Sequence, residues 1–251
     1  MLRIFRMVLL AGVVLVWSLP ARGQAQSSQF KYQVTPYFWI SGIEGTVGAL
    51  NRSANVDASF GDIWGNLKFG AMGTFQGRWN RWVFLGDVLY MNLAHDRSTP
   101  NLPAFSNAEV QARTLILDPE FGYQIIRGEG VELNMLAGGR FWRLKNELQF
   151  SNGGGGGLGF EQPKNWIDPI VGLQFRGDLG RMFYVTAKGD IGGFSAAARL
   201  DWQAFGGLGI RFNDRLSGVV GYRHLAVDYS NDGFLYDAEM KGIVLGFGIR
   251  F

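Results

Sequence analysis

Two histidines are the side chains in this sequence best suited to general acid–base chemistry. His95 stands in the run His95-Asp96-Arg97-Ser98, where the adjacent carboxylate could orient the imidazole as a base. His224 stands in the run Tyr222-Arg223-His224, without an adjacent carboxylate. A solvated loop histidine is the commoner role, and two isolated histidines without spaced carboxylates do not make a metal site. We therefore predict a chain that is not an enzyme, with no catalytic, cofactor-binding or metal-binding residues and no cofactor.

A second set of reactive side chains consists of charged residues that alternate with apolar ones along extended segments. If these segments are strands of one closed sheet, the charges share its inner face. The residues assigned to that face are Lys68, Arg78, Asp87, Asp118, Glu120, Glu132, Arg140, Asp168, Arg176, Asp178, Lys188, Asp190, Asp201, Arg211, Arg223 and Arg250. The two signs balance. Such charges either pair in an interlocked polar core, because unpaired buried charge is costly, or line a narrow water-filled conduit.

Period-two alternation is the pattern that predicts the strands themselves. At the end of the chain, Ile243, Leu245, Phe247 and Ile249 fall on one face, and glycines, Val244 and Arg250 fall on the other. Ten segments with this pattern cover 29–42, 66–78, 82–94, 109–125, 131–143, 166–179, 182–193, 198–212, 216–229 and 236–251. Their connections alternate between tight and longer ones. We predict an all-β fold, a closed antiparallel up-and-down transmembrane β-barrel with ten strands.

Three connecting segments bear on this prediction. Segment 46–59 could form its own hairpin, which leaves counts of eight or twelve strands open. Segment 59–67 carries Phe60, Ile63, Trp64 and Leu67 at helical spacing and predicts a short amphipathic helix that caps or enters the barrel. A packed turn resting on the rim is the alternative. Segment 152–159 contains five consecutive glycines and predicts a flexible surface loop.

Aromatic residues cluster where the predicted strands meet their connections. One group is Trp79, Trp82, Phe183, Phe212 and Phe251, and the other is Trp39, Tyr90, Trp166, Trp202 and Tyr236. Two such groups are expected at the two interfaces of a membrane. Trp64, Phe105 and Phe160 are loop aromatics that could contact an external partner or cover the barrel mouth.

The first residues resemble an export signal, with Arg3 and Arg6 before a short apolar run and small residues after it. We predict a signal peptide over 1–23, with cleavage after Gly23 or Ala25, and a barrel domain over 24–251. The precursor's excess of three positive charges resides in Arg3, Arg6 and Arg22, so no basic surface for nucleic acid remains. Cysteine is absent, which excludes disulfides, thiolate metal sites and a lipoprotein anchor.

The chain resembles small bacterial outer-membrane barrel proteins of the OmpA/OmpW type. The last residues, Gly246-Phe247-Gly248-Ile249-Arg250-Phe251, are similar to the signal that such barrels present to their assembly machinery, although Val244 replaces a usual polar residue. Further likeness lies in 166–169, 189–194 and 221–223. The resemblance implies fold and location and transfers no catalytic residues, because the group is largely without assigned activity. The rim motifs of the ten-stranded omptin proteases, paired acids and Asp-x-His, are absent.

These observations favour an integral barrel in the outer membrane of a Gram-negative bacterium, reached by export to the periplasm. A narrow passive channel for ions or small solutes is the favoured function. A plugged structural barrel or a surface-binding adhesin is the alternative, and a lipid-modifying rim enzyme ranks below both. The expected partners are outer-membrane lipid, lipopolysaccharide, and the export and barrel-assembly machineries. The sequence leaves the oligomeric state open.

Overall fold

The computed structural model describes residues 30–49, 52–98, 107–151 and 157–251, with side chains described over 30–48, 53–94, 111–145 and 163–251. The elements in this part are β1 (Lys31–Ala49), β2 (Arg52–Ala58), α1 (Phe60–Asn66), β3 (Leu67–Trp79), β4 (Trp82–Ser98), β5 (Asn107–Gly128), β6 (Val131–Ser151), β7 (Gly157–Leu179), β8 (Phe183–Gly192), β9 (Leu200–Arg211), β10 (Leu216–Asn231) and β11 (Phe234–Arg250). No helix within these ranges is long and apolar enough to cross a membrane.

Ten strands form a closed antiparallel barrel. From β3 to β11 each strand pairs with its neighbour in the chain, and β11 pairs back onto β1 from Gln33↔Arg250 to Gly48↔Leu235. β1 also pairs with β3 near its start and with β2 near its end, so β2 lies outside the ring. The predicted fold class is confirmed, and β2 together with the end of β1 forms the hairpin left open for segment 46–59.

Tight turns gather at one end of the barrel, with the start of β1 and the end of β11; we call this the turn end, and the opposite end the loop end. Asn80 (φ 57°), Gly130 (φ 72°) and Gly180 (φ 78°) occupy left-handed conformations in three of these turns. Glycine and asparagine tolerate such a φ, which two-residue hairpin turns require. At the loop end the β10–β11 turn, Asp232-Gly233, is equally tight, and the connections between β4 and β5, β6 and β7, and β8 and β9 are longer. Short turns at one end and mostly longer connections at the other are typical of outer-membrane barrels.

The outer surface of the barrel carries an apolar band next to the turn end. Val220, Ile243, Leu245 and Phe247 face outward in this band, and each is 44–49% exposed. Towards the loop end the outward residues of the same strands become polar, as at Lys241, which forms an ion pair with Glu44 at 3.0 Å. An apolar exterior on a closed barrel suits lipid, whereas the polar continuation suits water.

At each height along the barrel axis, the interior has the opposite polarity to the outer surface. Behind the apolar band the inward side chains are largely polar or charged, and behind the polar surface they are apolar and aromatic. The apolar cluster consists of Trp39, Leu89, Met91, Ile116, Trp142, Leu144, Trp166, Ala198, Leu225, Val227, Tyr229, Phe234, Tyr236, Ala238, Met240 and Val244. The loop-end half is therefore packed like the core of a water-soluble protein.

The prediction that both aromatic groups lie at the membrane interfaces is wrong for one of them. Trp79, Trp82, Phe183, Phe212 and Phe251 are exposed near the turn end, as an interfacial belt requires. In the second group Trp39, Trp166 and Tyr236 are buried in the lumen, and only Tyr90 and Trp202 face outward. Aromatic residues are equally suited to a packed core, so their position near strand ends did not reveal which face they occupy.

The loop end resembles a sandwich because β8, β9 and β3 stop short of it. β4 to β7 extend there as one sheet, and β2, β1, β11 and β10 as another. The two sheets meet through aromatic rings: Trp166 and Tyr229 stack with centroids 4.1 Å apart, and Trp142 and Tyr236 meet edge to face with centroids 6.0 Å apart. Facing sheets that interdigitate in this way bury a continuous core.

The predicted helix is present as α1, and it lies against the outside of the wall. Phe60 and Trp64 both pack on the outward-facing ring of Phe38, with centroids 6.0 and 5.4 Å away, so α1 neither caps nor enters the lumen through these residues. α1 lies beside the part of β1 where the pairing partner of that strand changes from β3 to β2. Ser59 caps the helix: Asp62 N–H donates to Ser59 Oγ (3.3 Å), and the Ser59 hydroxyl and backbone N–H donate to Asp62, which lowers the pKa of Asp62.

The change of polarity along β10 can be tested with one substitution repeated at two outward positions. Val220→Lys places a charge in the apolar band and is expected to lower the free energy of unfolding by ~2–4 kcal/mol. His224→Lys lies beyond the band and is expected to change it by less than about 0.5 kcal/mol. Urea unfolding of the refolded protein in lipid vesicles measures both. Equal losses at the two positions would contradict the proposed edge of the band.

Candidate functional site

The centre of the lumen is organised by Arg140 of β6. Its Nε and Nη2 donate to the two oxygens of Asp118 at 2.9 and 3.1 Å, and its remaining bonds reach Asp190 at 2.9 Å and Asp201 at 2.5 Å. All four side chains are 0–1% exposed. Gln203 donates to both Asp118 (3.2 Å) and Asp190 (2.6 Å). Four strands, β5, β6, β8 and β9, are thereby joined through the interior.

Two further cations extend this group. Lys188 forms ion pairs with Glu120 and, at 3.2 Å, with Asp190. Arg223 of β10 donates to Asp87 and to the hydroxyl of Tyr37, both at 2.8 Å, and the same hydroxyl donates to Asp87 at 2.8 Å. We call these residues with Arg140 and its partners the central cluster. Charge-assisted bonds of this kind are the strong ones in a protein interior.

Two tryptophans connect the central cluster to the apolar core above it. Trp142 Nε1 donates to Asp201 at 2.8 Å, and Trp166 Nε1 donates to Asp168 at 2.8 Å. Asp168 also accepts a 2.7 Å bond from the backbone N–H of Ala198, which lies in the β8–β9 connection and is fully buried. The indole rings stack 5.4 Å apart. The loop-end closure of the lumen is therefore bonded directly to the buried charges.

Open space lies on the other side of the central cluster. A cavity of about 840 Å³ occupies the turn end of the lumen and is lined by residues such as Arg78, Glu132 and Arg250. A smaller cavity of about 150 Å³ lies deeper and reaches Asp87, Lys188 and Arg223 of the central cluster. Gln33, Gln76 and Arg176 line both. The lumen is thus accessible from the turn end and ends at the central cluster.

The predicted lumen charges fall into two levels. Asp87, Asp118, Glu120, Arg140, Lys188, Asp190, Asp201 and Arg223 form the central cluster. Asp168, the strand-register partner of Arg140, is buried and bonds to Trp166 and Ala198. Arg78, Glu132, Arg176, Asp178, Arg211 and Arg250 lie around the turn-end cavity. The assignment of Lys68 to the lumen is wrong: the residue is exposed, because a register shift of β3 between Leu67 and Phe69 interrupts the alternation there.

The functional residues that sequence reasoning missed are uncharged. Tyr37, Gln203 and Trp142 each bond directly to a carboxylate of the central cluster. They occupy inward positions of their strands, so the period-two pattern could have placed them in the lumen. Their partners could not be derived in this way, because the bonds join residues 50, 13 and 59 positions apart in the chain.

The histidines and loop aromatics are only partly described. The side chains of His95, Phe105 and Phe160, and most of the glycine-rich segment 152–159, lie outside the described residues. His224 faces outward, with Nε2 3.2 Å from Glu239 and its ring 4.7 Å from that of Trp202. Trp64 is exposed on α1. Within the described side chains, no group of three or more metal-ligating residues is arranged to hold an ion.

The C-terminal residues Gly246, Phe247, Ile249 and Phe251 close the barrel against β1. The Phe251 backbone N–H donates to the Tyr32 carbonyl at 2.9 Å, and the two rings stack 4.9 Å apart. Phe247 faces outward. A Cβ on Gly246 would lie only 2.8 Å from Val219, so the inward side of this segment leaves little room for a larger residue.

A closed ten-stranded barrel with an apolar outer band has the fold of an outer-membrane β-barrel. Solved structures to which the chain is similar include the outer membrane protease OmpT from Escherichia coli, 11% identical over 91% of this chain and 99% of that one, with a TM-score of 0.48. The translocator domain of the autotransporter NalP from Neisseria meningitidis is 12% identical over 90% of each chain (TM-score 0.44). Ail, the attachment invasion locus protein of Yersinia pestis, is 15% identical over 88% and 98% (TM-score 0.37).

These likenesses assign neither activity nor partner to this chain. No family model and no curated protein matches it. The resemblance to the OmpA/OmpW type therefore stays a prediction, whereas the outer-membrane barrel fold is established by the closed sheet and its exterior.

The central cluster predicts a specific order of stabilities. Arg140→Leu leaves buried carboxylates without their cation and is expected to lower the free energy of unfolding by ~3–5 kcal/mol. Arg140→Lys keeps the charge but loses the bidentate geometry, so it should give a smaller loss. Lys241→Leu, which removes an exposed ion pair, should leave the free energy nearly unchanged. Urea unfolding in lipid vesicles ranks the three, and a loss at Lys241 as large as that at Arg140 would refute the assignment.

Proposed function

We propose that this chain is a non-enzymatic outer-membrane barrel with a sealed lumen, which presents its loop end to the exterior as a structural or surface-binding domain. The observation that carries this proposal is the closure of the lumen at two successive levels. Arg140, Asp118, Asp190 and Asp201 are almost completely buried across its centre. The apolar cluster fills the space beyond them.

Both levels oppose passage of a hydrated solute. A path through the centre would have to break bonds that compensate buried charge, at a cost of several kcal/mol. The apolar cluster offers a passing ion few polar atoms to replace its hydration shell. These considerations favour the sealed barrel over the narrow passive channel expected from the sequence.

The loop end has the properties of a surface domain. Its two sheets bury an apolar core of their own, and residues outside it such as Glu44, Glu239 and Lys241 form exposed polar contacts. β4 to β7 continue beyond the apolar band, with pairing between β5 and β6 up to Asn107↔Ser151. At about 3.3 Å per residue, a sheet of this length projects clearly above the bilayer. We propose that lipopolysaccharide or an external partner meets this sheet.

We further propose the orientation and route expected from the sequence. Residues 1–23 direct export, the turn end faces the periplasm, and the C-terminal segment around Phe247 and Phe251 engages the assembly machinery. The four short turns at one end support this orientation, since the connections at the other end are longer except for those between β1 and β2 and between β10 and β11. Phe251 lies in the last strand pair to close the barrel, where an assembly factor would need to bind.

A passive channel is the second candidate, supported by the two cavities on the turn-end side of the central cluster. In that case the cluster would act as the constriction of a pore. Its charges would then govern ion selectivity.

Single-channel recording in planar bilayers separates the two candidates. For a sealed lumen we expect no reproducible current steps from the wild type or from Asp118→Ala, because the apolar cluster remains intact in the variant. A variant at an outward site, Arg143→Ala, provides the control for charge removal. Folding is verified beforehand from the different gel mobility of heated and unheated samples. Current steps from the wild type that change in Asp118→Ala and not in Arg143→Ala would contradict the sealed lumen and establish the channel.

A further inference from the structure

The turn-end cavity is unusual in its charge. Its volume of about 840 Å³ lies within the range of small-molecule sites, roughly 300–1,000 Å³. Its six basic side chains are Lys31, Arg78, Arg176, Arg211, Arg215 and Arg250. Only three acidic side chains, Glu132, Asp178 and Asp214, share the cavity with them. The wall of this cavity therefore carries a net positive charge.

Internal ion pairs neutralise only part of this charge. Arg78 pairs with Glu132 at 2.6 Å, and Arg211 pairs with Asp178. The nearest atoms of Arg176 and Asp178 are 3.8 Å apart, so Arg176 competes for a carboxylate that Arg211 already holds. Arg250, Arg215 and Lys31 form no ion pair within the ranges that the structure describes.

Arg176 provides the most direct sign of a missing anion. Its guanidinium carbon lies over the Tyr184 ring, 3.7 Å from the centroid, in a cation–π contact. Its Nη2 is buried and has no hydrogen-bond acceptor. The residue lines both the turn-end cavity and the deeper one. A buried donor without an acceptor is costly, and a bound anion would remove that cost.

We propose that the turn-end cavity binds a small, multiply charged anion that carries phosphate or carboxylate groups. Arginine forks recognise both groups through paired hydrogen bonds, and several separate arginines suit a ligand with more than one such group. The ligand comes from the solution at the turn end, because the barrel wall separates the cavity from lipid. A lipid headgroup would have to draw its chains out of the bilayer to enter. This proposal does not depend on whether the lumen is sealed at the loop end.

Calorimetric titration of the full mature protein in detergent tests the site, with tripolyphosphate and citrate as probes at about 20 mM salt. We expect saturable binding of both that weakens steeply at higher ionic strength, because the attraction is electrostatic. Arg176→Gln and Arg250→Gln should each weaken binding by about tenfold, as expected for loss of a charge-assisted bond. Arg143→Gln removes the same charge from the outer surface and should leave binding unchanged.

A variant with the opposite expected effect distinguishes the site from damage to the fold. Asp178→Asn removes the competing carboxylate and should strengthen binding of both probes, which a poorly folded protein would not do. Absence of saturable binding by the wild type, or an equal loss in Arg143→Gln, would overturn the proposal. Tighter binding of short-chain phosphatidylglycerol than of glycerol phosphate would also overturn it, because the preferred ligand would then be a lipid.

Discussion

The buried guanidinium of Arg140 is the interaction on which the interior depends. It donates hydrogen bonds to Asp118, Asp190 and Asp201, which come from three other strands. Since each carboxylate would be costly to bury alone, the cation stabilises the closure of the strands at this height. The same bonds exclude open water from the centre of the lumen. Closure of the barrel and closure of the lumen thus share one physical cause.

The second constraint is the change of environment along each strand. Near the turn end the wall faces lipid, so outward residues such as Leu245 are apolar and the inward ones can be polar. Beyond the band the wall faces water, and the hydrophobic effect drives apolar residues such as Met240 inward. β11 makes this exchange between Lys241 and Ile243 without changing its register with β1. One continuous barrel therefore has a half whose outer surface faces lipid and a half that is packed like a β-sandwich in water.

This change of the apolar face along each strand explains which features of the fold could be predicted from the sequence. Alternation with period two predicted the ten barrel strands, and it assigned Arg140 and Asp118 to the inner face where they are buried, whereas Lys68 is exposed. It did not indicate which face is apolar at which height, so Trp39 and Trp166 were assigned to an interface although they are buried in the lumen. For the same reason β6 and β7 extend well beyond the predicted 131–143 and 166–179. Along Tyr222–Tyr229, β10 passes from apolar residues facing outward to apolar residues facing inward. Apolar and polar residues therefore do not alternate cleanly in this part of the sequence.

The interactions of the site were less predictable than its members. Arg140 and Asp201 are 61 positions apart, and only the closure of the barrel decides that they meet. The helix α1 was predictable because its spacing and its cap are local, with Ser59 and Asp62 three positions apart. Its location outside the wall was not, since that depends on where β1 leaves β3 for β2.

The absence of cysteine from the chain permits a direct test of lumen closure. A single cysteine at Gln33, which lines both cavities, can be titrated with a small membrane-impermeant maleimide in vesicles that hold the protein in one known orientation. Cysteine at His224, on the outer surface beyond the band, reports access from the loop end. A sealed lumen predicts that Gln33→Cys reacts only from the turn end and His224→Cys only from the loop end. Reaction of Gln33→Cys from both sides at comparable rates would contradict a sealed lumen.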